Sequence, residues 1–312
     1  MFDRPDQALA VSQRLGAAVF AALALAGCGP QSPPAEATIP AALETRFYPP
    51  EGWTWGRVGV EGGPSLRYGV ASPPVAPRAQ VLILPDQTEP AEAWFETARN
   101  LLARRYGVWI VDWSGLGGPT GRFRVSARGH NSTEAAAPAL RVMVEQVVRA
   151  EQPLIVLASG SGADPALRTL AVGLPVDAAI LSSPRKPDSA TQTPHDDRRR
   201  RVVDLWRKAD PRLAPDDRVN LHDRWLSWRA PPKPLALGRV AAPVTILASG
   251  LEESCAGLAH CELVRLADAR EPLHLEQNPL RNAWLKEVAR VIEARTQGRS
   301  VAVPPTPGAK TP

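Results

Sequence analysis

The chain has 312 residues, 44% hydrophobic and 22% charged, a balance that excludes wholesale disorder and allows one large domain or two small ones. Lysine and arginine number 37 against 32 acidic residues, so the net charge of +5 is too small to mark a nucleic-acid binder. Three cysteines exclude a disulfide-scaffold protein.

At the N-terminus, Leu15 to Ala26 is uncharged and mostly apolar and follows Arg14. It is too short to span a bilayer core and suits the apolar region of a signal peptide. It ends Leu25-Ala26-Gly27-Cys28, which resembles the bacterial lipobox, where the cysteine becomes the lipid-modified first residue. That resemblance implies a lipoprotein signal peptide over 1–27 and a membrane anchor on Cys28. Asp3 and Asp6 beside Arg4 depart from the positive start such signals carry. Gly29, rather than an aspartate, follows the cysteine, which implies the outer membrane, facing the periplasm. Residues 28–45 are rich in proline and alanine and read as a tether. Residues 298–312 read as a disordered tail.

Between these ends, short apolar runs alternate with helical patterns. Strands are expected at Ser65–Val70, Gln80–Leu84, Val108–Asp112, Leu154–Ala158, Ala178–Ser182, Val244–Ser249 and Leu263–Leu266. Helices are expected at Ala91–Tyr106, Ala135–Arg149, Pro165–Val172 and Pro279–Thr296. Continuous apolar strands such as Leu154-Ile155-Val156-Leu157-Ala158 belong to a sheet buried on both faces. The alternation therefore predicts an α/β fold with a doubly wound, mostly parallel sheet over 46–184 and 235–297. The segment 185–234 breaks it, with helical stretches at Asp196–Lys208 and Asp216–Trp228 and no strand; it reads as a helical lid insertion. Within His195–Arg229 stand ten basic residues and seven aspartates, +3 of the whole charge. Arg198 to Arg201 there suit either anionic head groups or a solvated helix face balanced by Asp196, Asp197 and Asp204. Trp206, Trp225 and Trp228 suit either an acyl pocket or the packing of a lid.

An exported chain meets an oxidising compartment. Cys255 and Cys261 would lie on different faces of a helix but can pair across an irregular turn, so their spacing leaves a disulfide open. His260 alone does not complete a zinc ligand set. No metal and no cofactor are expected.

Taken in order, these segments resemble the α/β-hydrolase fold, in its lysophospholipase and monoacylglycerol-lipase-like branch, the serine aminopeptidase type included. Leu82-Ile83-Leu84-Pro85 with Thr88-Glu89 resembles the strand and loop forming half of the family's oxyanion hole. Asp112-Trp113-Ser114-Gly115-Leu116-Gly117 resembles its Asp-x-Arg-Gly-x-Gly turn, with Ser114 in place of arginine. Gly129-His130 resembles a pair preceding its next helix. Pro153 to Leu170 follows the strand, elbow and helix that carry its nucleophile. Ala242 to Gly250 resembles the strand presenting its acid.

The family's serine chemistry needs a nucleophile on the strained elbow, a histidine base and an acid that orients it. In ungapped register with the family's Ala-His-Ser-Met-Gly-Gly, the chain reads Ala158-Ser159-Gly160-Ser161-Gly162-Ala163, which puts Gly160 in the nucleophile's place. Glu252 stands at the acid position and Glu271 at the histidine position. Asp86 sits where the oxyanion loop usually has glycine, with Gln87 and the Ser161 amide completing that loop; an anion there opposes a developing oxyanion. One reading is a degenerate hydrolase that binds a lipid or lysolipid-like molecule or a protein partner. The other is an active carboxylic-ester hydrolase with a shifted triad, Ser161, Glu252 and His274. Ser161 has the small residues Ser159 and Ala163 two positions to either side, and His274 lies three residues past the expected place.

Overall fold

A computed structural model describes residues 45–59, 65–86, 89, 91–112, 133–148, 151–184, 235–249 and 253–297. All fall within one unit, Ile39–Pro312. The leader, Cys28, Gln87, Ser114, Gly129-His130, the insertion 185–234, Glu252 and the tail lie outside the described residues.

The strands are β1 (Thr54–Gly59), β2 (Ser65–Ala71), β3 (Ala79–Leu84), β4 (Tyr106–Asp112), β5 (Leu154–Ser159), β6 (Ala178–Ser182), β7 (Val244–Ala248) and β8 (Cys261–Arg265). They form one sheet in the order β1-β2-β4-β3-β5-β6-β7-β8. β2 runs antiparallel to both β1 and β4; from β4 to β8 the neighbours are parallel. The helices are α1 (Phe95–Ala103), α2 (Thr133–Val142), α3 (Ala163–Ala171) and α4 (Leu280–Thr296). The mostly parallel, helix-flanked sheet expected from the alternation is present.

The central strands are mostly apolar because each face packs on helices. Val81, Ile83, Ile155, Leu157 and Ile180 join one core with Ala98 and Leu101 of α1 and Trp284 and Val288 of α4. Leu82, Leu84, Val156, Ala158 and Leu181, pointing the other way, join a second core with Leu140 of α2 and Ala166 and Leu170 of α3. The period of two along a strand sends alternate side chains to opposite faces. Burial on both faces removes the polar alternation of a half-exposed sheet.

Three elements differ from the sequence reading, two of them for physical reasons. β1 was not expected, because Gly56 and Gly59 lower strand propensity. It forms because its pairing with β2 fills the space over the glycines on both strands: the Tyr68 ring of β2 lies over its partner Gly56, and Trp53, just before β1, covers Gly69 of β2. The first helix ends at Ala103, not at 106, since Arg105 turns to φ 65° and starts β4 at Tyr106. The second stops at Val142 and widens into a π-type turn over Met143–Val148; nothing in the packing explains that widening.

Cys255 and Cys261 are joined by a disulfide with Cα atoms 5.6 Å apart. It closes a turn in which Leu258 N–H donates to Cys255 C=O at 3.1 Å and Gly257 takes φ 83°. Parallel strands are commonly joined by a helix; this staple instead ties the β7–β8 connection to the first residue of β8. Among the described residues, no helix is long and apolar enough to cross a membrane.

Candidate functional site

Strand order reverses between β3 and β5, and ligands of open α/β sheets bind beyond the C-terminal ends of strands at such a point. The loop after β3 brings Asp86 there, and the turn after β5 brings Gly160 and Ser161. β5 ends at Ser159 with extended backbone, φ −119° and ψ 137°. The next residue, Gly160, takes φ 53°, a left-handed conformation that glycine adopts at little cost and other residues rarely do. Gly160–Gly162 then forms a short 3-10 turn leading directly into α3. A sharp strand-to-helix elbow is therefore present, and Gly160 is the residue with the left-handed backbone.

Gly162 shows how tightly the elbow is held. A Cβ on it would run into the carbonyl oxygens of Leu84 and Pro85, so the turn rests on the end of β3 and on the loop carrying Asp86. Across that contact, Ser161 N–H donates to Asp86 Oδ2 at 2.7 Å. Asp86 is 0% exposed. A short bond from an amide and the N-terminal end of a helix both favour negative charge on the acceptor.

A second buried carboxylate stands behind the first. Glu89 Oε2 accepts the Asp86 amide at 3.3 Å and the Trp94 indole N–H at 3.1 Å. His274 Nε2 lies 3.8 Å from the same oxygen. The His274 ring stacks on Trp94, centroids 3.7 Å apart and planes within 17°, and Trp284 lies 6.1 Å away. His274 sits in the buried turn Leu273–Leu275. Glu276 fixes the approach to that turn, since its carboxylate accepts from Arg270 N–H at 3.0 Å and Gln277 N–H at 2.9 Å. His274 is thus packed between aromatic rings and beside Glu89.

Glu271 lies in the loop after β8, half-buried. Its Oε1 accepts from Ser249 Oγ at 3.5 Å, and Ser249 Oγ lies 3.2 Å from Ser183 Oγ. Those serines immediately follow β7 and β6, so the ends of two strands meet the loop after β8 in one polar chain. Further along the same edge, Arg67 pairs with the buried Asp112 at 2.8 Å and stacks on Trp55 at 3.7 Å.

Of the residues singled out in the sequence, the structure brings Asp86 and Ser161 into contact and puts Gly160 at the elbow. Glu271 is bonded into the Ser249–Ser183 chain. Glu89 and Trp94, which tie Asp86 to His274, were not read as site residues. The Thr88-Glu89 pair was the available signal, but nothing local links it to an aromatic and a histidine far along the chain. The arrangement can hold buried negative charge and accept hydrogen bonds; its elbow residue offers no side-chain nucleophile.

No protein-family model matches the chain, and no curated protein matches it by sequence. Solved structures do match. A soluble variant of monoglyceride lipase from Saccharomyces cerevisiae, in complex with a substrate analog, matches with a TM-score of 0.53 at 14% identity, covering 78% of this chain and 94% of that one. Naproxen esterase from Bacillus subtilis matches at 0.53 and 13% identity, over 77% of this chain and 91% of its own. A haloalkane dehalogenase loop variant from Bradyrhizobium elkanii matches at 0.52 and 16%, over 78% and 97%. These likenesses, with the strand order above, identify the fold as that of the α/β-hydrolases.

Proposed function

We propose that this chain keeps an α/β-hydrolase scaffold of the lysophospholipase and monoacylglycerol-lipase-like kind without its ester hydrolysis, and acts by binding a lipid-like ligand or a protein partner. The observation that carries the reading is Gly160, which holds the left-handed φ of 53° at the end of β5 and has no side chain to attack a carbonyl. The neighbouring groups agree. The amide after the elbow residue, half of the oxyanion hole in enzymes of this fold, is bound by the Asp86 carboxylate. Glu271 stands where the resemblance puts the base, and a carboxylate does not relay a proton as an oriented imidazole does. Likeness to a monoglyceride lipase supports a lipid-like ligand.

The same proposal places the protein in the bacterial cell envelope, anchored through a lipid on Cys28, at the outer membrane facing the periplasm. Leu25-Ala26-Gly27-Cys28 supports that address.

Fluorophosphonate labelling and p-nitrophenyl ester turnover test the chemistry directly. The expected result is no labelled adduct and no hydrolysis above buffer. Robust labelling that disappears in Ser161→Ala would overturn the reading in favour of an ester hydrolase using Ser161, Glu252 and His274.

A further inference from the structure

The elbow also carries information about the charge of what it accepts, provided that it is the ligand site proposed above. A free amide at the start of a helix attracts anions. Here the position is already filled: Asp86 Oδ2 takes the Ser161 amide at 2.7 Å from a fully buried residue. The contact is built rather than incidental. Gly162 lets the elbow press onto the Leu84 and Pro85 carbonyls, which brings Asp86 under Ser161, and Glu89 Oε2 holds the Asp86 amide from behind. Glu89 is itself buried, bonded to the Trp94 indole and 3.8 Å from His274 Nε2. Glu271, half-buried on the loop after β8, adds a third carboxylate to the same edge of the sheet.

We infer that Asp86 is the specificity-determining residue of this elbow: it admits acyl ligands with uncharged heads and refuses the anion of the same acyl chain. The physical reason is twofold. A carboxylate is an acceptor only, so a hydroxyl or an amide can donate to it whereas another carboxylate or a phosphate cannot. Like charges also repel strongly where protein replaces water as the surrounding medium. An anionic head must displace Asp86 from the amide or stand beside it against charge repulsion, whereas an uncharged head can stand beside it without that cost. Loss of the nucleophile and filling of the amide are separate changes. The first removes bond cleavage; the second selects what remains bound.

Isothermal titration of the full chain with monodecanoylglycerol and with decanoate compares the two heads on one acyl chain. The uncharged ester is expected to bind at least about 10-fold tighter than the anion. Asp86→Asn keeps an oxygen to accept the Ser161 amide while removing the charge. It is expected to bring the two affinities within about threefold of each other by strengthening decanoate. Equal binding of both lipids by the unaltered chain overturns the inference alone, and so does an unchanged ratio in Asp86→Asn. If the unaltered chain binds neither lipid, the inference falls together with the lipid-ligand reading beneath it. The comparison in the unaltered chain needs no variant, so equal binding there overturns the inference even if Asp86→Asn fails to fold, and Asp86→Ser, whose hydroxyl can also take the Ser161 amide, then supplies the charge-free arm.

Discussion

In the middle of the sheet, Val81, Ile83, Ile155, Leu157 and Ile180 are buried and apolar; at the ends of the same strands or a residue or two beyond, Asp86, Ser182 and Ser183 are buried and polar. The two regions are equally dry but differently held. Apolar burial in the centre is favourable for each side chain and needs no partner. Burial of a carboxylate at the edge costs free energy unless hydrogen bonds satisfy it. Asp86 takes the Ser161 amide, Glu89 takes an amide and an indole, and Glu276 takes two amides. The centre accounts for the fold; the edge is an additional construction placed upon it. Scaffold and chemistry are separable in this molecule, as the recurrence of one fold with many functions leads one to expect.

Three substitutions probe that contrast. The largest effect belongs to the centre. Trp284 is fully buried, packs in the core beneath α4 and donates to Ser182 Oγ at 3.1 Å. Trp284→Ala is expected to cost about 3–5 kcal/mol, read as a lowered urea midpoint. A loss no greater than that of a surface substitution would refute the account of the centre. Gly162→Ala tests the junction between the regions, because its Cβ meets backbone rather than a movable side chain. It should cost roughly 1–3 kcal/mol and shift the Ser161 amide resonance; an unmoved resonance would break the claimed link between elbow and β3 loop.

The smallest effect is expected at Tyr106, whose hydroxyl is buried with no hydrogen-bond partner among the described residues. Burial, aided by Glu293, raises its pKa above the ordinary 10.0. A phenol raised in the folded state contributes stability that is present below the unfolded pKa and lost as pH rises through the folded one. Unfolding free energy should therefore fall as alkali increases above about pH 10. Tyr106→Phe should remove that part of the fall while leaving stability at neutral pH unchanged or raised by about 1 kcal/mol. Urea titrations of both proteins across that range measure the difference, and parallel pH profiles would count against it.

How much of this was legible in the sequence follows the same division. β3, β5, β6 and β7 could be located because two-sided burial writes itself as short, nearly continuous apolar runs. β8 was displaced, since its edge position leaves Glu262 and Arg265 exposed and weakens the signal. β1 was hidden because the Tyr68 ring that covers Gly56 sits on the neighbouring strand. At the edge, the resemblance to the family's elbow and oxyanion loop, with the small residues flanking Ser161, brought attention to Asp86, Gly160 and Ser161. The partnership of Glu89, Trp94 and His274 was illegible, because it depends on the loop after β8 folding back over the start of α1. Cys255 and Cys261 stayed undecided for a related reason: their separation in sequence does not specify the turn at Gly257 that brings the sulfurs together.

The bond between Asp86 and Ser161 joins residues 75 positions apart, and only the side-by-side placement of β3 and β5 brings its ends together. Its amide proton therefore times the assembly of the sheet. Contacts so distant in sequence must wait for chain closure during folding, and a buried, bonded amide is released to solvent only when the structure holding it opens. Ser161 is thus a natural clock for the centre of the domain, placed where β5 turns into α3.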